Sequence, residues 1–301
     1  MRIVAAGLLL LLVALAFGLS PAAAQSLGLG ALEGDEPLEV LADGGIEWRQ
    51  DEKVFIAEGN ARARRGEVTV HADRLVAHYR DRSGPGKEQP QQGGGQPIGP
   101  GGGIEIFRLE AQGNVRIVSR QETAVGESAV YDIDGQVFVL TGRDLSLKTP
   151  DVRITARDSL EYWAGRELAV ARGDARAFGE DRLLTADVLT ARFAGKGEAS
   201  RNGGGGPSNG AVERIEAFDN VAIRTADEVI RGDRGVYDLD SRIATLAGSV
   251  KITRGENQLN GAYAEVNLAT GVSRLRSAPG QGPSRVFGLI KPEKPSDGAA
   301  P

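Results

Sequence analysis

Apolar and polar residues alternate with period two along most of this chain. Val68-Thr69-Val70-His71-Ala72, Val115-Arg116-Ile117 and Val250-Lys251-Ile252 are examples. Such alternation gives a strand one dry face and one wet face. No window after the first two dozen residues carries a convincing period near 3.6, so the pattern predicts an all-β chain. Residues 113–142 show the unit. Val115-Arg116-Ile117 alternates, a polar turn follows, and Thr123 to Ile133 forms a second run. The turn Asp134-Gly135 then returns the chain through Val137-Phe138-Val139-Leu140. This reads as strand, hairpin and strand, punctuated by glycine at a fixed place.

The punctuation repeats. Gly59, Gly113, Gly142, Gly173 and Gly248, with Asp219 once in the same slot, are separated by 54, 29, 31, 46 and 29 residues. The two long gaps each hold a glycine-rich insert, residues 82–103 and 195–210. Both inserts follow the same point of the unit, after Ala72-Asp73-Arg74-Leu75 and after Ala186-Asp187-Val188-Leu189. They are read as loops leaving one edge of a continuous fold. A second order lies above the first: Gly113 and Asp219, Gly126 and Gly232, Tyr131 and Tyr237, and Asp132 and Asp238 are all 106 residues apart. The chain therefore reads as two similar halves of three units, a stacked nearest-neighbour architecture.

Each unit supplies about two long strands, a dozen or more in all. Glycine at a fixed mid-strand slot predicts bulges or bends, and antiparallel hairpins folded over there give two facing sheets. Val115, Ile117, Val125, Tyr131, Val221, Ile223, Tyr237, Val250 and Ile252 are predicted to line the inner faces. These residues suit an ordinary sandwich core. Their modest size also suits a long apolar trough.

The start of the chain changes the setting. Arg2 precedes an apolar run from Ile3 to Leu19, and Ala22-Ala23-Ala24 fits a small-residue cleavage rule, placing the cut before Gln25. The alternative is an uncleaved anchor at the lower length limit for spanning a bilayer; either way the remainder is exported. Net charge is −5, which disfavours a nucleic-acid partner. Cysteine is absent, which excludes disulfides and thiolate metal sites.

Candidate chemistry is sparse. His71 and His78 are the two histidines, and an odd separation of seven puts them on opposite faces of one strand, unable to share a metal. Asp132/Asp134 and Asp238/Asp240 are spaced carboxylates, but they flank turns that themselves call for Asp. Arg62, Arg64 and Arg65 offer either a phosphate contact or a solvated strand face. No Gly-x-Ser-x-Gly motif occurs. No catalytic residue, metal or cofactor is expected. A non-catalytic polymerising scaffold and an acidic β-solenoid acting on polysaccharides remain the alternatives to a lipid binder.

Several stretches carry a resemblance. Pro37-Leu38-Glu39-Val40, Ile56-Ala57-Glu58-Gly59-Asn60-Ala61, Val68 to Leu75, Ala111-Gln112-Gly113-Asn114-Val115 and Val137 to Gly142 resemble, in register, the LptA/OstA family of lipopolysaccharide-export proteins, over about residues 37–276. The resemblance implies an elongated, open, two-sheet antiparallel β-jellyroll in the periplasm. It implies lipid A acyl chains of lipopolysaccharide held between the sheets, and head-to-tail self-association through edge strands. It implies inner-membrane LptC-like and outer-membrane LptD-like partners carrying the same domain. The predicted organisation is a leader at 1–24, a jellyroll at 25–276 and a flexible Pro/Gly-rich tail at 277–301, apart from its short apolar run Val286-Phe287-Gly288-Leu289-Ile290. Unpaired edges invite strand addition. Val40, Ile46, Trp48 and Leu275 mark the predicted docking edges.

Overall fold

The computed structural model describes residues 38–81, 104–194, 212–267, 269–270, 272–277 and 286–291. The leader, the cleavage site and both glycine-rich inserts lie outside the described residues. Eighteen strands are described. In chain order they are β1 (Glu39–Leu41), β2 (Gly45–Arg49), β3 (Val54–Arg65), β4 (Val68–Asp81), β5 (Ile104–Val118), β6 (Thr123–Asp132), β7 (Val137–Thr141), β8 (Leu145–Lys148) and β9 (Arg153–Ala156). They continue as β10 (Ser159–Trp163), β11 (Leu168–Phe178), β12 (Leu183–Phe193), β13 (Val212–Arg224), β14 (Glu228–Asp238), β15 (Ile243–Arg254), β16 (Asn257–Asn267), β17 (Val272–Arg276) and β18 (Phe287–Leu289). One short 3-10 turn, Ala164–Arg166, joins β10 to β11.

The described residues form two compact units, one within 38–150 and 157–169, the other within 151–156 and 170–291. In the first unit, β3, β4, β5, β6 and β7 pair antiparallel in sequence order, and β10 pairs with β7. Two short strands, β1 and β2, pair with the two ends of β3. In the second unit, β12, β13, β14, β15 and β16 follow one another in the same way. Two short strands, β17 and β18, pair with β16. β18 lies in the short apolar run set apart from the predicted flexible tail, and it pairs with Gln258–Asn260.

The glycine slot is where the long strands break register. Gly59, Gly113, Gly142, Gly173 and Gly248 have φ of +79°, +76°, +118°, +81° and +76°, and Asp219 stands at +60°. In five of the six slots the next residue is also left-handed: Asn60, Asn114, Asp174, Asn220 and Ser249. Two residues there oppose one on the partner strand, as between Glu58 and Ala61, Gln112 and Val115, and Phe218 and Val221. This is a bulge that bends both strands. A side-chain amide fastens it in places. Asn114 Nδ2 donates to Asp73 Oδ2 at 2.9 Å, and Asn220 Nδ2 to Asp187 Oδ2 at 2.9 Å.

Each bend folds one half-strand over the other. Leucine wedges close it: a Cβ on Gly126 would lie 2.8 Å from the Leu140 side chain, and one on Gly232 would lie 2.7 Å from Leu246. Leu140, Leu145, Val115, Ile117, Val221 and Val250 are the largest fully sealed side chains, together with Val68.

The bulge also slips the alternation by one residue, so a simple count of two fails across it. Val125 is the casualty. It pairs with Arg116 and Ser146 on the outer face, 36% exposed, while Ala124 and Gly126 point inward. Its assignment to the lining is therefore corrected. Of the two histidines, His71 is opposite Arg116, and His78 is opposite Arg108 and Val54.

Candidate functional site

The second unit encloses an apolar cavity of ≈ 100 Å³ between the inner faces of its folded strands. One arm of each strand supplies Leu184, Val221, Ile223, Ile230, Ile252 and Leu259; the other supplies Ile215, Ala217, Tyr237, Leu246, Ala264 and Leu275. Alternation brings these side chains to one face in each arm, and the bulge at Asp219-Asn220 turns the two faces toward each other.

Of the predicted lining residues, Val221, Ile223, Tyr237 and Ile252 border this cavity. Val250 is sealed on the same strand face as Ile252. Val115, Ile117 and Tyr131 lie on the inner faces of the first unit, all buried against their own neighbours. Leu275 was predicted to mark a docking edge; its side chain lines the cavity, while its backbone pairs with Ala264 on the rim. A strand on the rim contributes its backbone to the edge and its side chain to the core, and only the first can dock a partner strand.

Two charged residues line the cavity, Glu228 and Arg274, beside Thr245 and Tyr237. Arg274 extends toward Glu265 at 3.4 Å. Glu228 opens β14 beside a tight turn that Thr225 N closes by donating to Glu228 O at 3.0 Å. Its carboxyl is 4% exposed, and one oxygen is buried without a hydrogen-bond partner. Burial raises its pKa, with Arg254 across the ladder pulling the other way. Burial likewise raises the Tyr237 phenol.

Glu122 repeats this arrangement in the first unit. Ser119 N donates to Glu122 O at 3.0 Å, the carboxyl is 3% exposed, and burial pushes its pKa up to about 7. Sequence reasoning missed both residues, although their spacing is again 106 and so carried the signal.

The other candidates resolve into structure. Asp132 Oδ1 accepts from Gly135 N at 2.7 Å, and Asp238 Oδ1 accepts from Ser241 N at 2.8 Å and Ser241 Oγ at 2.6 Å. Both are turn-forming aspartates. Asp134 pairs with Arg80 at 2.6 Å. His78 faces Glu110 at 3.3 Å, and burial, then Arg62 and Arg116, lower the pKa of His71. Among the described residues no group of three or more His, Asp or Glu is placed to hold a metal ion.

At the rims, Trp48 is committed internally. It stacks on Phe55 at 5.6 Å and donates its indole N–H to Tyr79 Oη at 2.8 Å. Val40 pairs with Ala63 and Ile46 with Ala57. Exposed apolar side chains concentrate on these short strands: Leu41 and Ile46 on β1 and β2, and Val272, Phe287 and Leu289 on β17 and β18.

Comparison with known proteins places part of the chain. An uncharacterized protein of Rhizobium meliloti (strain 1021) is 27% identical over 116 residues, covering 38% of this chain; the chain spans 55% of that relative's length. The chain is also similar to LptH from Pseudomonas aeruginosa, described as the LptA homologous periplasmic component of a lipopolysaccharide transport device. That likeness has a TM-score of 0.38 and 18% identity, and covers 47% of this chain and 95% of the other. Residues 39–162 match the family described as LptA/(LptD N-terminal domain) LPS transport protein.

Proposed function

We propose that this protein is a non-catalytic periplasmic carrier that holds lipopolysaccharide acyl chains between its sheets and passes them toward the outer membrane. The apolar cavity between the folded arms of the second unit is the observation that carries this reading. The similarity of residues 39–162 to the LptA/(LptD N-terminal domain) LPS transport protein family supports it. A chain of methylenes gains about 0.8 kcal/mol for each one buried, so a continuous lining such as Ile223, Ile230 and Ile252 is the form that retention requires. The exposed apolar residues on β1, β2, β17 and β18 support head-to-tail association, or docking to LptC-like and LptD-like domains, through strand addition.

The test is site-specific photocrosslinking in a lipopolysaccharide-producing cell. A crosslinker at Ile223 is expected to capture lipopolysaccharide, and one at Val125, on an outer face, is expected to capture none. Equal capture at both positions, or none at Ile223, removes the carrier reading.

A further inference from the structure

The cavity wall is mostly apolar and carries two charged residues, and one of these is a carboxyl with an unused oxygen. Glu228 shares its strand face with Ile230 and lies at the hairpin end of the cavity, next to Ile223 across the β13–β14 ladder. It is almost wholly buried, and its Oε2 makes no hydrogen bond. Arg274, the second charged residue of the wall, already faces Glu265. Buried polar atoms are nearly always partnered, and an exception inside a cavity points to a group that arrives with a ligand.

We infer that Glu228 is the polar anchor of this cavity and selects an alkyl or acyl chain that carries a hydroxyl group. The inference rests on the reading of the cavity as a chain-binding site. A hydroxyl suits the position because it donates to an ionised carboxylate and accepts from a neutral carboxyl, so it satisfies Glu228 in either state. A plain methylene chain does neither and leaves the buried oxygen unpaired. The Thr225–Glu228 turn holds the backbone of Glu228 at the first residue of β14.

The test uses the purified, delipidated full chain and two probes of equal chain length, 1-dodecanol and 1-chlorododecane, each displacing the fluorescent hydrocarbon N-phenyl-1-naphthylamine. The native protein is expected to favour the alcohol by about tenfold, the worth of one buried hydrogen bond. Glu228→Gln, which keeps the shape and the hydrogen-bonding groups, retains the preference. Glu228→Leu, checked for folding by circular dichroism, is expected to turn the preference toward the chloro probe, because the hydroxyl is then buried without a partner; Glu228→Ala replaces it if the leucine variant does not fold. Failure of both probes to displace the reporter overturns the cavity reading and this inference together. Equal displacement by the two probes in the native protein leaves the cavity reading standing and overturns the role of Glu228. So does a preference that survives in the folded leucine or alanine variant, or one lost in folded Glu228→Gln.

Discussion

Glu122 is the residue on which the pH dependence of folding should turn. Its pKa rises from an ordinary carboxyl value to about 7 because burial disfavours the charged form. The folded state therefore binds this proton more tightly than the unfolded chain. Its contribution is fully present below the unfolded pKa and is lost as pH rises through about 7. Glu122→Gln is expected to stabilise the protein by roughly 1–3 kcal/mol at pH 8 and to change little at pH 4. Urea unfolding of both proteins at the two pH values checks this; an equal difference at both would reject it. The slot glycines offer a second test. A Cβ on Gly113 would lie 2.2 Å from Asp73 Oδ2 at a φ of +76°, so Gly113→Ala should cost about 2 kcal/mol or more. Asp219→Gly should stay within about 0.5 kcal/mol of neutral. Relief at φ +60° is offset by the freer unfolded chain. A costly Asp219→Gly would mean that the aspartate side chain, and not the backbone, holds that bulge.

At the scale of elements, the two ends of the strand series share a design. A long strand, β3 or β16, is covered along its outer edge by two short strands. β18 is the weaker cover. It pairs over three residues, and Phe287 and Leu289 are 58% and 56% exposed. Lys291 fastens its end through Glu256 at 2.5 Å and through Asn257. An exposed ion pair of this kind contributes little. Deleting residues 286–291 is expected to bare the backbone of Asn257–Gly261 and to raise self-association without loss of the folded unit. Sedimentation velocity across a concentration series reads this directly. A deletion variant that sediments like the full chain would show that this edge does not recruit a second strand.

At the scale of the molecule, the two units divide the lining residues into different roles. Ile117 is sealed at 2% exposure among its neighbours in the first unit, whereas Ile223 is half-buried at the cavity wall of the second. Ile117→Asp should therefore unfold its unit, because a charge placed there has neither partner nor water. Ile223→Asp should leave a cooperative fold and abolish chain binding. Circular dichroism melts alongside the fluorescent displacement assay separate the two outcomes. Ile117→Asp that melts like the native protein, or Ile223→Asp that still binds, would reverse the division.

The sequence by itself determined the strand content, the repeat and its slots. Those depend on local rules: alternation sets which residues form strands, and a left-handed backbone demands Gly, Asn or Asp wherever it occurs. Asp219 was legible in its slot for that reason. The tertiary structure decided what lies across each bend. The face of Val125, the turning of Leu275 into the cavity and the place of β18 all depend on register, and a bulge shifts register by one residue without marking the residues beyond it. Burial of Glu122 and Glu228 was likewise a tertiary outcome. A glutamate at a hairpin reads as solvated until the opposite arm folds over and removes its water.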